Sequence, residues 1–312
     1  QLLHAEVIEL HGAAQFDAIH PYTKALEKFV DVVQENYQGE HTLKFVLHPN
    51  SELGTEKDYF GYMNLGVAVD FAIVSPSHMS TFSPEANIMD VPFLFQDVDH
   101  YLRAIQQDVF APVEHALRND ADVLVLGYGG GEKRHLIGTK PVDTLEKLSG
   151  FTMRVQGSPV QTLVFGAVGA TPTVISGGEV YNAIQTGVID GAENSPNAIR
   201  QYKWFEVAPH YTLSTVSITV RPLIFSGKSF RKLPTDLQEV IRKAGPEVMA
   251  YERDLEITTD GRVLQQLSSE GKIKTYEFQN REELIRLAQP VQTEFAKRIG
   301  AYDVLQSIRE LR

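Results

Sequence analysis

The sequence predicts an α/β fold with mostly parallel sheets, divided into two lobes with a hinge between them. Three observations carry this reading. Short apolar runs of β type alternate with helical stretches along the whole chain. One run, 121–126, is continuously apolar, as a strand buried on both faces should be. The length, 312 residues, is about twice that of a common single domain.

The elements follow in order. The runs at 7–10 and 43–47 read as strands, and 22–37 between them is amphipathic, with Ala25, Leu26, Phe29, Val30 and Val33 at helical spacing. A helix is expected over 54–65 and a strand over 69–74, ended by Ser75 and Pro76. After the 121–126 strand come Gly127, Gly129, Gly130 and Gly131. The second half repeats the alternation: strand 151–156, helices 159–168 and 179–186, strand 188–192, a long strand region 211–225, helix 236–267, strand 273–278 and a last helix 282–299. The glycine cluster and the strand around 217–225 read as two crossings between lobes. A chain that crosses more than once makes discontinuous lobes. They are expected at 1–130 with 220–260 and at 131–219 with 261–312, with a ligand cleft between them.

Composition narrows the function. There are 29 basic against 40 acidic residues, a net charge of −11, so attraction to nucleic acid or anionic lipid is not a main function. An anionic ligand then needs locally placed cations. No stretch approaches ~18 consecutive apolar residues, so no membrane span is expected. The chain has no cysteine, hence no disulfide framework, thiolate zinc site or thiol nucleophile. It begins at Gln1 with neither Met nor an apolar leader, consistent with a mature form whose export signal was removed or with a trimmed expressed chain.

No catalytic signature emerges. The stretch from Gly127 to Lys133 looks like a phosphate loop, but Glu132 stands where glycine must precede lysine, and no Ser or Thr follows Lys133. Glu132 also occupies the last glycine position of a dinucleotide fingerprint. No zinc-protease helix and no nucleophile elbow occurs. The 10 histidines lack metal spacing, and neither metal nor cofactor is expected. A binding protein fits better than an enzyme.

Arg154 is the most informative residue. In the run 151–156, Phe151, Met153 and Val155 point to one face, and Thr152, Arg154 and Gln156 to the other. An arginine near a strand end, just before Gly157-Ser-Pro159 opens a helix, lies where α/β sheets bind ligands. Its guanidinium can hold a carboxylate through two parallel hydrogen bonds. From the pattern alone, pairing with a structural Asp or Glu accounts for it equally well. Asn194 ends a strand that runs into a proline-started helix, where its amide can meet a ligand carboxylate or simply cap the helix. Glu193 and Asp190 read as cap or hinge residues. Arg134, beside the glycines, reads either as a ligand contact at a crossing or as a solvated cation on a flexible hinge.

Several segments occur together in order: Leu53-Gly-Thr-Glu-Lys57, Val91-Pro-Phe-Leu-Phe95, Arg134 with Lys140-Pro-Val142, Leu148-Ser-Gly-Phe-Thr-Met-Arg-Val155, Gly169-Ala-Thr-Pro172 and the block 178–194. Together they resemble the solute-binding proteins of TRAP transporters, the DctP-type family, from about residue 5 to 300. The resemblance implies an exported protein with the two-lobed periplasmic binding protein fold that closes on an organic anion, and a monomer is expected. It delivers the ligand to the small and large membrane subunits of a sodium-driven permease. It also implies that Arg154 clamps the ligand carboxylate, Asn194 supports it, Arg134 makes a second contact and Glu56 meets ligand hydroxyls.

The chain departs from the family pattern in places. The lead-in Gly129-Gly-Gly-Glu-Lys-Arg134 is unusual, so Lys133 or His135 is an alternative second contact. Ser176-Gly-Gly178 replaces an aromatic wall, leaving more room. The stretch 11–20 is long and polar and reads as either a ligand-facing or a solvent loop.

The preferred ligand is a hydroxylated monocarboxylate, a uronate or other sugar acid. Arg154 would hold the carboxylate, and Glu56, Ser75, His20 and Gln156 would read the hydroxyls. The alternatives are a C4-dicarboxylate, with Arg134 or Lys133 on a second carboxylate, and an α/β enzyme acting on a carboxylate.

Overall fold

The computed structural model describes residues 6–311. The outermost ends of the expected lobes, 1–5 and 312, lie outside the described residues. The strands are β1 (Val7–Ala13), β2 (Thr42–His48), β3 (Phe71–Ile73), β4 (Val123–Gly138), β5 (Thr152–Val155), β6 (Thr171–Val174), β7 (Gly191–Asn194), β8 (His210–Ser226) and β9 (Lys274–Glu277). The chain forms two compact units. Unit 1 comprises Gln1–Ser83, Val113–Gly130 and Val220–Leu255, and unit 2 comprises Pro84–Pro112, Gly131–Thr219 and Glu256–Arg312. The chain passes between them after Ser83, inside the helix Ala111–Ala121, inside β4, inside β8 and within the helix Thr235–Ser269.

In unit 1 the strand order is β2-β1-β3-β8. β1 pairs in parallel with β2 and β3, while β3 runs antiparallel to the end of β8. The helix Pro21–Asn36 packs its apolar stripe here, with Ala25, Leu26, Phe29 and Val33 all buried. Phe29 meets Phe71 at 5.0 Å between ring centroids, and Phe71 stacks on Phe225 at 6.1 Å.

In unit 2 the order is β4-β7-β5-β6. β5 is parallel to both β6 and β7, whereas β4 runs antiparallel to β7. The expected parallel character therefore holds for the short strands, and antiparallel pairing is confined to the two long strands that serve both units. Trp204, fully buried, anchors a core with Val180, Ile184, Tyr211 and Leu267.

Several elements differ from the sequence reading, and the helices Ala111–Ala121 and Tyr302–Glu310 and strand β6 are additional to it, so 282–299 is not the last helix. The strand expected at 121–126 continues through the glycines to Gly138. Those glycines are needed for close approach: a Cβ at Gly127 would lie 3.0 Å from the Gly245 carbonyl oxygen, and one at Gly129 would meet Glu252 and Met249. The strand expected at 188–192 begins only at Gly191, because the backbone amides of Val188 and Ile189 bond back to Ala183 O through a turn at Gly187, φ 74°. The helix Val98–Gln106 was not foreseen. Asp97 caps it, accepting from His100 N at 2.7 Å, and a histidine on its buried face hides the apolar stripe. Finally, 84–112, placed in the first lobe from sequence, sits in unit 2. Gln161 Nε2 donates to Asp90 at 3.0 Å, Gln292 Nε2 to Pro92 O at 2.7 Å, and His100 Nε2 lies 2.7 Å from Ile308 O.

Candidate ligand-binding site

In unit 2, β5 and β7 run side by side with Arg154 opposite Ala192. Asn194 lies two residues further along β7 and so shares the face of Ala192. On the other side of β5, Arg154 faces Thr173 of β6, and its Nε donates to Ile175 O at 2.8 Å. Arg154 is only 7% exposed, yet it has no carboxylate partner among the described residues. Burial, then the positive charge of Arg134, bring its guanidinium down to about 10, so it stays cationic at neutral pH. A buried cation without a counter-ion is costly, and the cost is offset when an anion arrives. The terminal nitrogens that would form a carboxylate fork are the ones left unpaired.

Asn194 is buried and ends β7. Its Oδ1 accepts from Ser195 N at 3.0 Å, and Ser195, not Asn194, caps the next helix, accepting from Ala198 N. The Asn194 Nδ2 group has no partner among the described residues, so it remains a donor.

Arg134 behaves differently. Its Nε and Nη2 meet Glu193 Oε2 and Oε1 at 2.5 and 2.7 Å, and Nη2 also reaches Glu193 O at 3.1 Å. Both side chains are almost fully buried. The reading of Arg134 as a solvated hinge cation is thus corrected, and so is that of Glu193 as a cap or hinge residue: it is the mid-strand counter-ion of Arg134. Sequence offered no signal for this, since no motif ties residues 59 apart.

The other unit 2 candidates are also placed. Gln156 follows β5, is buried, and its N–H donates to Gln161 Oε1 at 3.0 Å. Lys133 is exposed. His135 is buried, with Nδ1 accepting from Thr215 N at 3.0 Å; burial, with Lys133 and Arg281 nearby, lowers its ring to about 3, so it is neutral. A Cβ built at Gly178 meets nothing within 4 Å, whereas one at Gly177 would lie 3.2 Å from Tyr202 Oη.

Unit 1 gathers a second cluster. Glu56 opens the helix Glu56–Leu65 and is 4% exposed. Thr55 and Asp58 form the capping box there, so end-capping does not depend on Glu56. Its N–H donates to Gln15 Oε1 at 3.0 Å, and its Oε2 accepts from Ser75 N at 2.6 Å with His78 Nε2 3.9 Å away. The carboxylate is thus held by one oxygen, and Oε1 is left to accept. Ser75 is buried and its Oγ lies 3.0 Å from Ser77 Oγ. His20 caps the helix Pro21–Asn36, its Nδ1 accepting from Tyr22 N at 3.2 Å, and stacks on Phe16 at 4.0 Å. In the polar stretch 11–20, residues 11–13 belong to β1 rather than to a loop.

Arg221 was missed. It is buried in β8 of unit 1, its Nε donates to Tyr22 Oη at 2.7 Å, and its guanidinium lies over the Tyr22 ring. The available signal was a cation inside an otherwise apolar strand run, Val220-Arg-Pro-Leu-Ile-Phe225.

Two α/β units and one buried, uncompensated guanidinium beside a free amide donor define an anion-binding protein. Among the described residues no group of three or more His, Asp or Glu side chains is arranged to hold a metal, and no helix is long and apolar enough to cross a membrane.

The family model for bacterial extracellular solute-binding proteins, family 7 (DctP), matches residues 13–298. A solute-binding protein of Sulfitobacter sp. (strain NAS-14.1) is 47% identical over 300 residues, covering 96% of this chain and 90% of the relative. A TRAP periplasmic solute-binding protein structure from Sulfitobacter sp. NAS-14.1, with bound α-D-taluronate, superposes with a TM-score of 0.93 at 46% identity over 98% of each chain. A TRAP periplasmic solute-binding protein from Citrobacter koseri with bound D-glucuronate gives a TM-score of 0.88 at 27% identity, covering 98% of this chain and 100% of that one. This chain belongs to the family 7 extracellular solute-binding proteins. It is a solute-binding protein of the TRAP type and not an enzyme.

Proposed function

We propose that this protein captures a hexuronate, with Arg154 as the carboxylate anchor and Asn194 Nδ2 as a supporting donor. The observation that carries the reading is the buried charge of Arg154, unpaired where Arg134 is neutralised by Glu193. One available buried guanidinium in this cluster suits a monocarboxylate better than a diacid, for which Arg134 or Lys133 would have to serve as a second clamp. The uronates bound by similar proteins support the same choice. In unit 1, Glu56 Oε1 is the proposed acceptor for a sugar hydroxyl, with Ser75 beside it, and buried His20 is a further proposed hydroxyl reader. Gln156 is the proposed hydroxyl reader of unit 2. We also propose that the protein is exported by a cleaved signal, acts as a monomer in the periplasm, and hands its ligand to the small and large subunits of a TRAP permease. Calorimetric titration with D-glucuronate, D-galacturonate, D-taluronate and succinate tests the ligand class. Saturable one-to-one binding of at least one uronate, with succinate at least a hundredfold weaker, is expected. Preference for succinate would overturn the reading.

A further inference from the structure

A cavity of about 240 Å³ is lined only by residues of unit 2. Neither Arg154 nor Asn194 lines it. Its walls are largely apolar, formed by Val98, Pro196, Ile257 and Leu264. Four polar side chains border it: the exposed Lys133, and Glu132, His135 and Asp260, each more than nine-tenths buried.

The hydrogen-bonding sense of each polar group is determined by its neighbours. An N–H can only donate, so the contact from Thr215 N makes His135 Nδ1 an acceptor and puts the ring proton on Nε2. Thr215 is held there in a left-handed conformation, φ 40°, rare for a β-branched residue, with its carbonyl accepting from Arg281 Nη2 at 3.0 Å. His135 Nε2–H has no acceptor among the described residues. Asp260 Oδ1 accepts from Asn197 N at 3.0 Å, and its buried Oδ2 has no hydrogen-bond partner among the described residues. Burial, then the charge of Glu132, hold Asp260 well above the usual carboxylate range, so its carboxyl retains a proton. Lys133 lies at the rim, and Arg134 is already paired with Glu193. His135 is neutral and Asp260 keeps its proton, so two of the three buried polar groups offer hydrogen bonds rather than charge, which favours a neutral ligand.

Gly261 is a second, independent pointer. It lines the cavity from inside the long helix Thr235–Ser269, where glycine is less stable than alanine. A Cβ added there meets nothing within 4 Å, so packing does not require glycine. Its effect is to leave the cavity open.

We propose that this cavity is a second ligand site, separate from the carboxylate anchor. Its ligand is a small neutral molecule with an apolar body and a carboxamide-type head, whose oxygen accepts from His135 Nε2 and whose N–H donates to Glu132. The apolar body lies against Ile257 and Leu264. A cavity of this size holds roughly ten non-hydrogen atoms, below the range of drug-sized pockets.

Benzamide is the probe, titrated by ligand-observed NMR into the full chain with and without saturating D-glucuronate. Saturable binding in both conditions is expected, with benzoate and benzylamine at least tenfold weaker. Gly261→Leu, a helix-favouring change, should weaken benzamide at least tenfold and leave D-glucuronate affinity within twofold. Absence of saturable benzamide binding, equal binding of the charged analogues, displacement by D-glucuronate, or an unaltered affinity in Gly261→Leu would each overturn the proposal. The arm without D-glucuronate keeps this result distinct from the identity of the primary ligand.

Discussion

Arg134 and Glu193 form a two-pronged ion pair, 2.5 and 2.7 Å long and almost wholly buried, and this pairing leaves Arg154 as a buried cation with no ion-pair partner among the described residues. The difference matters because of desolvation: a buried charge must be matched, one arginine is matched by Glu193, and the other is the proposed ligand anchor.

Arg154→Lys should weaken uronate binding by about 2–5 kcal/mol, because an ammonium cannot make the planar fork. Calorimetry reads the loss, and circular dichroism confirms that the fold is intact. Near-normal affinity in the lysine variant would remove Arg154 as the anchor.

Glu193→Gln should be a stability variant first. Breaking one side of a buried pair costs about 3–5 kcal/mol, since the remaining charge is stranded. Urea melts at pH 7 should show that loss. The double variant Arg134→Gln with Glu193→Gln should recover part of it, and a double variant less stable than Glu193→Gln alone would refute the pairing argument.

Glu56→Gln should keep the fold, because the amide oxygen still accepts from Ser75 N. Hydrogen bonds to a charged group are worth about 1.5–3 kcal/mol, so sugar-acid affinity should fall roughly tenfold or more while succinate affinity holds or rises. A small change in melting temperature with both affinities unchanged would reduce Glu56 to a structural residue.

His135 makes stability fall in acid. Its ring is lowered from 6.5 to about 3 in the folded protein, chiefly by burial. The unfolded chain therefore takes up a proton near pH 6.5 that the folded chain refuses until about pH 3. Stability from this group is fully present above about 6.5 and is lost as pH falls toward about 3. His135→Gln, which retains an acceptor for Thr215 N, should flatten that part of the profile in urea melts. An unaltered slope would show that the acid loss comes from other groups.

Asp260 acts in the opposite direction. Its carboxyl is held well above its ordinary value by burial and by Glu132, so the folded protein retains a proton that the unfolded chain releases near pH 4. Its stabilising contribution is present in acid and is lost as pH rises toward its folded value. Asp260→Asn keeps the acceptor for Asn197 N and should be more stable than the parent at pH 8 and similar at pH 4. A variant less stable at pH 8 would show that the charge of Asp260 is needed.

The β/α alternation was legible because apolar periodicity is local. Arg154 stood out because a cation near a strand end, before a proline-started helix, is a local pattern too. The extent of β4 was not legible: its glycines look like a linker until the helix Thr235–Ser269 is packed against them, with Gly127 against Gly245. The helix Val98–Gln106 was hidden by His100, whose burial makes sense only once its ring nitrogen reaches Ile308 O, 208 residues away. Gly261 is unremarkable in sequence and informative only beside an open cavity.

By itself, the sequence determined the α/β class, the strand that carries Arg154 and the family to which the chain belongs, because these depend on residue order along short segments. Tertiary structure decided which arginine is neutralised. With 40 acidic and 29 basic residues, composition allows many pairings. Only the antiparallel register of β4 on β7, with Leu136 opposite Glu193 and His135 opposite Asn194, brings Arg134 to Glu193. The reason is physical: a buried ion pair needs two side chains in one desolvated place, and that place exists only after distant strands have paired.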